Sequence, residues 1–114
     1  MFSQALQEGY GAWVRCDAHS VSVSLGQGVE KLSWAQLQSV SIEAQGQDLQ
    51  RRLAWRLQGL GVRRCLIPFG CEGEPELLQY LQQLAGFDVL AVADALCGSA
   101  EGRFICWRRE RLQP

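Results

Sequence analysis

Side chains able to attack, ligate or transfer a proton are few in this sequence of 114 residues. Five cysteines, Cys16, Cys65, Cys71, Cys97 and Cys106, stand at irregular spacings, and the single histidine is His19. A zinc site announces itself by close pairs such as C-x2-C or H-x3-H, whereas the nearest pair here, Cys65 and Cys71, is six positions apart. An odd count with no secretory segment before it argues against a disulfide framework. The neighbours point to packing instead: Cys65 precedes Leu66 and Ile67, and Cys106 lies between Ile105 and Trp107, as small buried hydrophobes do. If thiol or metal chemistry is present, Cys65, Cys71 and Cys106 are its candidates. Cys71 stands just before a helix start, which lowers a thiol pKa, but the acids beside it push the other way. His19 sits in a hairpin turn with Asp17 and Ser20, too compressed to supply a nucleophile, a base and an orienting group. The glycine pairs Gly9/Gly11, Gly26/Gly28 and Gly59/Gly61 lack the third glycine, the lysine and the following helix of a phosphate loop. The sequence therefore predicts no catalytic constellation, no metal site and no cofactor.

Charge is unevenly distributed. Residues 49–64 hold Arg51, Arg52, Arg56, Arg63 and Arg64 with no acid, while residues 71–101 hold six acids and no base. Guanidinium forks match phosphate oxygens, so these five arginines are the candidate anion site, for a phosphoinositide head group or nucleic acid. Against it, the formal net charge is −1 and no aromatic platform accompanies the arginines, so a solvated arginine face, or one paired with the acidic helix end, is the simpler expectation. Of the four tryptophans, Trp34, Trp55 and Trp107 have aliphatic neighbours and anchor a core. Trp13 shares a face with Arg15 and Asp17, which makes it the candidate contact for a protein partner or a second copy of the chain.

The elements that must position these groups follow from periodicity. The chain is 47% hydrophobic and 20% charged, suited to a single globular domain over residues 1–114. No apolar run is long enough to span a membrane, and residues 1–9 lack a basic segment followed by an apolar one, so a cytoplasmic protein is expected. Alternation predicts strands over residues 10–17, 21–25, 29–34, 39–44, 52–58 and 62–69, with a tight turn at 35–38. Six short strands in succession suggest an antiparallel meander closing into a barrel or sandwich. From residue 75 the period changes: Leu77, Leu78, Leu81, Leu84 and Ala85 mark one face of a helix over about 75–85, with Pro75 in its first turn and Gly86 as its stop. Asp88 caps a second helix over about 89–97, so nearly all apolar that it must be covered, and a last strand spans about 103–108 before a charged tail through Arg111.

This order, strands in a meander and then an amphipathic helix, resembles the pleckstrin-homology-like (PH-like) barrel. Leu32-Ser33-Trp34 with Leu37 and Val40, then Ile67-Pro68, Leu77 through Leu84 leading to Gly86-Phe87-Asp88, and Phe104-Ile105-Cys106-Trp107 look like members of a small bacterial family of uncharacterised proteins. Together these positions span about two thirds of the chain, and all are core or capping residues. The resemblance implies an α+β, mostly β fold and no activity. Ala35 departs from the acid that follows the tryptophan in proteins of this look, and the Lys/Arg pair of lipid-binding first hairpins is absent, with only Arg15 and Lys31 nearby. The expected function is a non-enzymatic protein-interaction module, with an anion-binding module as the alternative.

Overall fold

Wherever apolar residues alternate with polar ones, the chain pairs into antiparallel ladders that turn the apolar set inward. Residues 11–26, 28–61 and 63–109 are described by the computed structural model of the chain. Its strands are β1 (Trp13–Cys16), β2 (Ser20–Ser24), β3 (Val29–Ser33), β4 (Ser39–Gln45), β5 (Arg52–Gln58), β6 (Arg64–Pro68) and β7 (Gly102–Arg108), with helices α1 (Glu74–Leu81) and α2 (Val89–Cys97) between β6 and β7. The expected strand starts at Tyr10 and Val62, the turn position Gln27, residues 1–9 and the tail beyond Arg109 lie outside the described residues.

The expected single meander divides into two sheets, in the orders β1-β2-β3 and β6-β5-β4-β7. The break falls between β3 and β4. There Ser33 accepts a hydrogen bond from the Gln36 N–H at 3.2 Å, closing a 3-10 turn over Trp34–Gln36 that carries the chain to the second sheet. Arg109 fixes that turn by donating to the Leu37 carbonyl at 2.7 Å and the Trp34 carbonyl at 3.0 Å. The result is two antiparallel sheets and two helices, an α+β arrangement that is mostly β and does not close into a barrel. The last strand, β7, pairs with β4 inside the chain, with a register shift between Val40 and Ser41.

The core lies between the sheets. Trp55, Leu57, Val40, Ile42 and Ile67 from the four-stranded sheet meet Val14, Val21, Val23 and Leu32 from the three-stranded one, with Leu77 and Leu81 of α1 closing the end. Trp55 stacks on Phe69 with ring centroids 5.3 Å apart, and its indole N–H donates to Glu74 Oε2 at 2.8 Å. Glu74 Oε1 accepts from the Gly70 N–H at 3.0 Å, so one carboxylate ties the start of α1 to both β5 and the preceding loop. Trp34 is half-buried, stacked on Tyr80.

Two expectations about the helices need correction. Helix α1 ends at Leu81 because the following turns tighten into shorter-range bonds, Gln83 to Tyr80 and Leu84 to Leu81, although Leu84 stays packed on the core and Gly86 makes the left-handed stop. Helix α2 is capped by Asp88, which accepts from the Leu90 and Ala91 N–H groups. It buries Ala95 but is not covered on its far side: Val89, Leu90 and Leu96 are 53%, 72% and 56% exposed. Among the described residues no helix is long and apolar enough to cross a membrane.

Candidate functional site

Two sheets that do not close have four edge strands, and an unpaired edge is a row of backbone donors and acceptors. Two of these edges are occupied. The free side of β1 is met by the loop before α1, where the Val14 N–H donates to the Glu72 carbonyl at 2.8 Å. The free side of β7 is met by the segment between the helices, where the Asp88 N–H donates to the Cys106 carbonyl at 2.8 Å. The other two edges, β3 and β6, border one groove of about 530 Å3, lined by Val29 to Leu32 and Arg63 to Cys65.

Backbone alternation fixes which groups face this groove. The Trp34 N–H donates to His19 on the β2 side, so Leu32 and Glu30 also point toward β2, and Val29, Lys31 and Ser33 point outward. Likewise the Gly59 N–H bonds to the Arg63 carbonyl and the Phe69 N–H to the Leu53 carbonyl. Cys65 and Ile67 therefore face β5, and Arg64 and Leu66 present unpaired groups to the groove side. Pro68, with no N–H, blunts the far end of β6. One side chain spans the gap: Arg63 Nη2 donates to the Lys31 carbonyl at 2.9 Å. Among the described residues the groove carries Lys31, Arg63 and Arg64 against the single acid Glu30, so these are net positive.

The five arginines of residues 49–64 divide among three places. Arg51 is a structural clamp: its Nε donates to the Ala100 carbonyl at 2.8 Å and its Nη1 to the Ala95 carbonyl at 2.6 Å, which stabilises the C-terminal end of α2. Arg63 lies in the groove. Arg52, Arg56 and Arg64 share the outward face of the four-stranded sheet, joined there by Arg103 and Arg108 of β7, which sequence separation hid. Alternation alone does not find this pair, because positions five apart in a strand fall on opposite faces; the register shift between Val40 and Ser41 is what turns both Arg103 and Arg108 outward. At the acidic start of α1 Glu74 binds Trp55 and Gly70, while Arg56 and Arg103 converge on Glu43.

Trp13, the expected contact residue, is half-buried, with the Arg15 guanidinium 5.0 Å from its ring centre. His19 is exposed in a turn closed by Asp17 Oδ1, which accepts from the His19 and Ser20 N–H groups; these two bonds hold the Asp17 carboxyl below the usual carboxylate range.

All five cysteines are free thiols, and only Cys97 is exposed. Burial, aided by Glu76 and Asp17, pushes the Cys16 thiol up to about 12. Burial and Glu30 raise Cys65 to about 11, and burial and Asp88 raise Cys106 to about 11. Burial and Glu74 also raise Cys71 above the ordinary thiol value, so its position before a helix does not make it a thiolate. Among the described residues no three His, Cys, Asp or Glu side chains converge as metal ligands, so Cys65, Cys71 and Cys106 do not form a common site. No family model matches this chain, nor does any curated protein or solved structure in the comparisons made with it.

Proposed function

We propose that this chain is a non-enzymatic protein-interaction module of the cytoplasm, PH-like in its order of elements, that binds an extended segment of a partner protein by β-strand addition in the groove between β3 and β6. The observation that carries this reading is the pairing state of the edges. The loop before α1 occupies β1 and the Asp88 segment occupies β7, while among the described residues no backbone pairs with the outer sides of β3 and β6, which face the same groove. A strand laid against β3 gains the Lys31 N–H and carbonyl, with the outward groups of Val29 and Ser33 as further partners, and main-chain bonds of this kind supply affinity without a preformed side-chain pocket. Arg63 now occupies the Lys31 carbonyl; a partner N–H that replaces it frees the guanidinium for a carboxylate. With Lys31 and Arg64 alongside, the chemistry favours an acidic extended segment. Five free thiols suit the cytoplasm. The meander followed by a packed helix supports the PH-like reading, while β7 and α2 extend beyond that plan.

The test uses a random peptide library displayed against the immobilised full chain. The reading expects enriched peptides that are acidic and extended, that protect the Lys31 amide from hydrogen exchange, and that lose binding to the Lys31→Pro variant but keep it with Lys31→Ala. Proline at 31 removes only the outward N–H, since the bonds to β2 come from Glu30 and Leu32. Peptides that bind both variants equally, or no enrichment at all, would overturn it. Enrichment of the chain's own sequence would identify a second copy as the partner.

A further inference from the structure

On the outward face of the four-stranded sheet lies a second concavity, which shares no lining residue with the β3/β6 groove, and it has a construction of its own. In the middle of the outward face, β4 places two small residues, Ser39 and Ser41, where the flanking strands place long ones. Ser41 stands between Arg56 of β5 and Ile105 of β7, and Ser39 between Gln58 and Arg108. Small floor residues between tall walls make a depression of about 180 Å3, lined by Ser39, Ser41, Arg56, Gln58, Arg103, Ile105 and Arg108. No acid lines it. Its neighbour Glu43 uses one oxygen, Oε2, to accept from Arg56 Nη1 and Arg103 Nη2, both at 2.9 Å, and Gln58 accepts from Arg56 Nη2 at 3.1 Å. These bonds hold two guanidinium groups in place while leaving most of their N–H donors unused. Arg108 makes no hydrogen bond or ion pair among the described residues, and the hydroxyls of Ser39 and Ser41 make none there either.

We propose that this depression is a binding site for a phosphate group, either free or as a monoester, held by Arg56, Arg103 and Arg108 over the Ser39 and Ser41 hydroxyls. The charge balance sets the ligand class. Three guanidinium ions against one carboxylate leave a surplus of two positive charges, which a phosphate dianion neutralises and a monovalent anion does not. Planar guanidinium forks supply paired donors to phosphate oxygens, and fixed forks lose little freedom on binding. Among the described residues no aromatic ring lines the depression, so a stacked nucleobase has no platform there and a lone phosphate group is the better fit. Because the second phosphate proton leaves near about pH 6, binding strengthens from pH 5 to pH 7. The five arginines picked out by sequence contribute one member, Arg56; the other two cations come from β7 and are brought in by its pairing with β4.

The experiment titrates the full chain with inorganic phosphate, O-phosphoserine and vesicles containing phosphatidic acid, at constant ionic strength, following backbone amide shifts. The inference expects saturable shifts confined to Ser39, Ser41, Arg56, Arg103 and Arg108, a gain in affinity between pH 5 and 7, and affinity lower by roughly tenfold or more in Arg108→Gln, the weight of one charge-assisted contact. Arg15→Gln, on the other sheet, is expected to bind as the unaltered chain does. The arm with the highest affinity names the source of the phosphate. Linear shifts spread over all arginines, or an Arg108→Gln variant that melts at the same temperature and binds as tightly, would overturn the inference. Because Lys31→Pro leaves this site untouched, loss of the strand-addition reading and loss of this one are separable.

Discussion

Gly73 is where the helix, the loop before it and the first sheet meet, and replacing it with alanine measures how firmly that junction is held. Gly73 is left-handed at φ 91°, and a methyl group built there runs into the Val14 carbonyl of β1. Two losses combine. A non-glycine residue in the left-handed region costs about 1–2 kcal/mol. Relieving the clash also pulls the loop from β1 and breaks the Val14 N–H to Glu72 carbonyl bond, worth about 1 kcal/mol net and more if the freed groups stay buried. The sum, about 2–3 kcal/mol, is a large share of the roughly 5–15 kcal/mol that stabilises a typical domain, and lowers the melting temperature by on the order of 10 °C. Gly70→Ala is the control: its φ is 86°, and nothing lies within 4 Å of an added methyl, so only the conformational part is lost. Urea unfolding followed by tryptophan fluorescence gives both values. The reasoning expects Gly73→Ala to be the more damaging by about 1 kcal/mol or more; equal losses in the two variants would refute it.

Other outcomes follow from the same contacts. At pH 8 an aromatic disulfide reagent is expected to titrate one thiol quickly, Cys97, and the other four only after unfolding, as stopped absorbance traces would report. Because the Cys16, Cys65 and Cys106 thiols have folded pKa values raised to about 12, 11 and 11, above the unfolded value of about 8.5, their contribution to stability is complete below pH 8. It is lost as the pH rises from about 9 toward 12, so urea midpoints should fall over that alkaline window and hold steady between pH 6 and 8. Arg51→Ala removes the donors to the Ala95 and Ala100 carbonyls and is expected to destabilise by about 2 kcal/mol, while leaving phosphate binding at the Arg108 site unchanged in the titration above.

Local pattern carried most of the fold. Period-two runs such as Val21/Val23 and Trp55/Leu57 face inward where expected because one face of each ladder is buried, and a one-residue slip would expose the whole set. Pairing partners were less legible. Adjacent strands in sequence usually pair, so β3 and β4 read as neighbours, yet the Ser33 cap and the 3-10 turn at Trp34–Gln36 send them to different sheets. That single break opens the β3 edge and creates the groove. Arg103 and Arg108 were invisible as partners of Arg56 for a related reason: their proximity is set by β4–β7 pairing across more than forty residues of chain, and no local signal encodes it. Arg51 misled because its charge suggested solvent or ligand, whereas its donors serve carbonyl groups at the end of α2.

The open edges of β3 and β6 are the premise on which the binding account stands, and amide hydrogen exchange of the unliganded chain tests it directly. The account expects the Lys31, Arg64 and Leu66 amides to exchange fast while their neighbours Leu32, Cys65 and Ile67, bonded across to β2 and β5, exchange slowly. Uniform slow exchange through residues 31–32 and 64–67 would mean that both edges are already paired, and would contradict it.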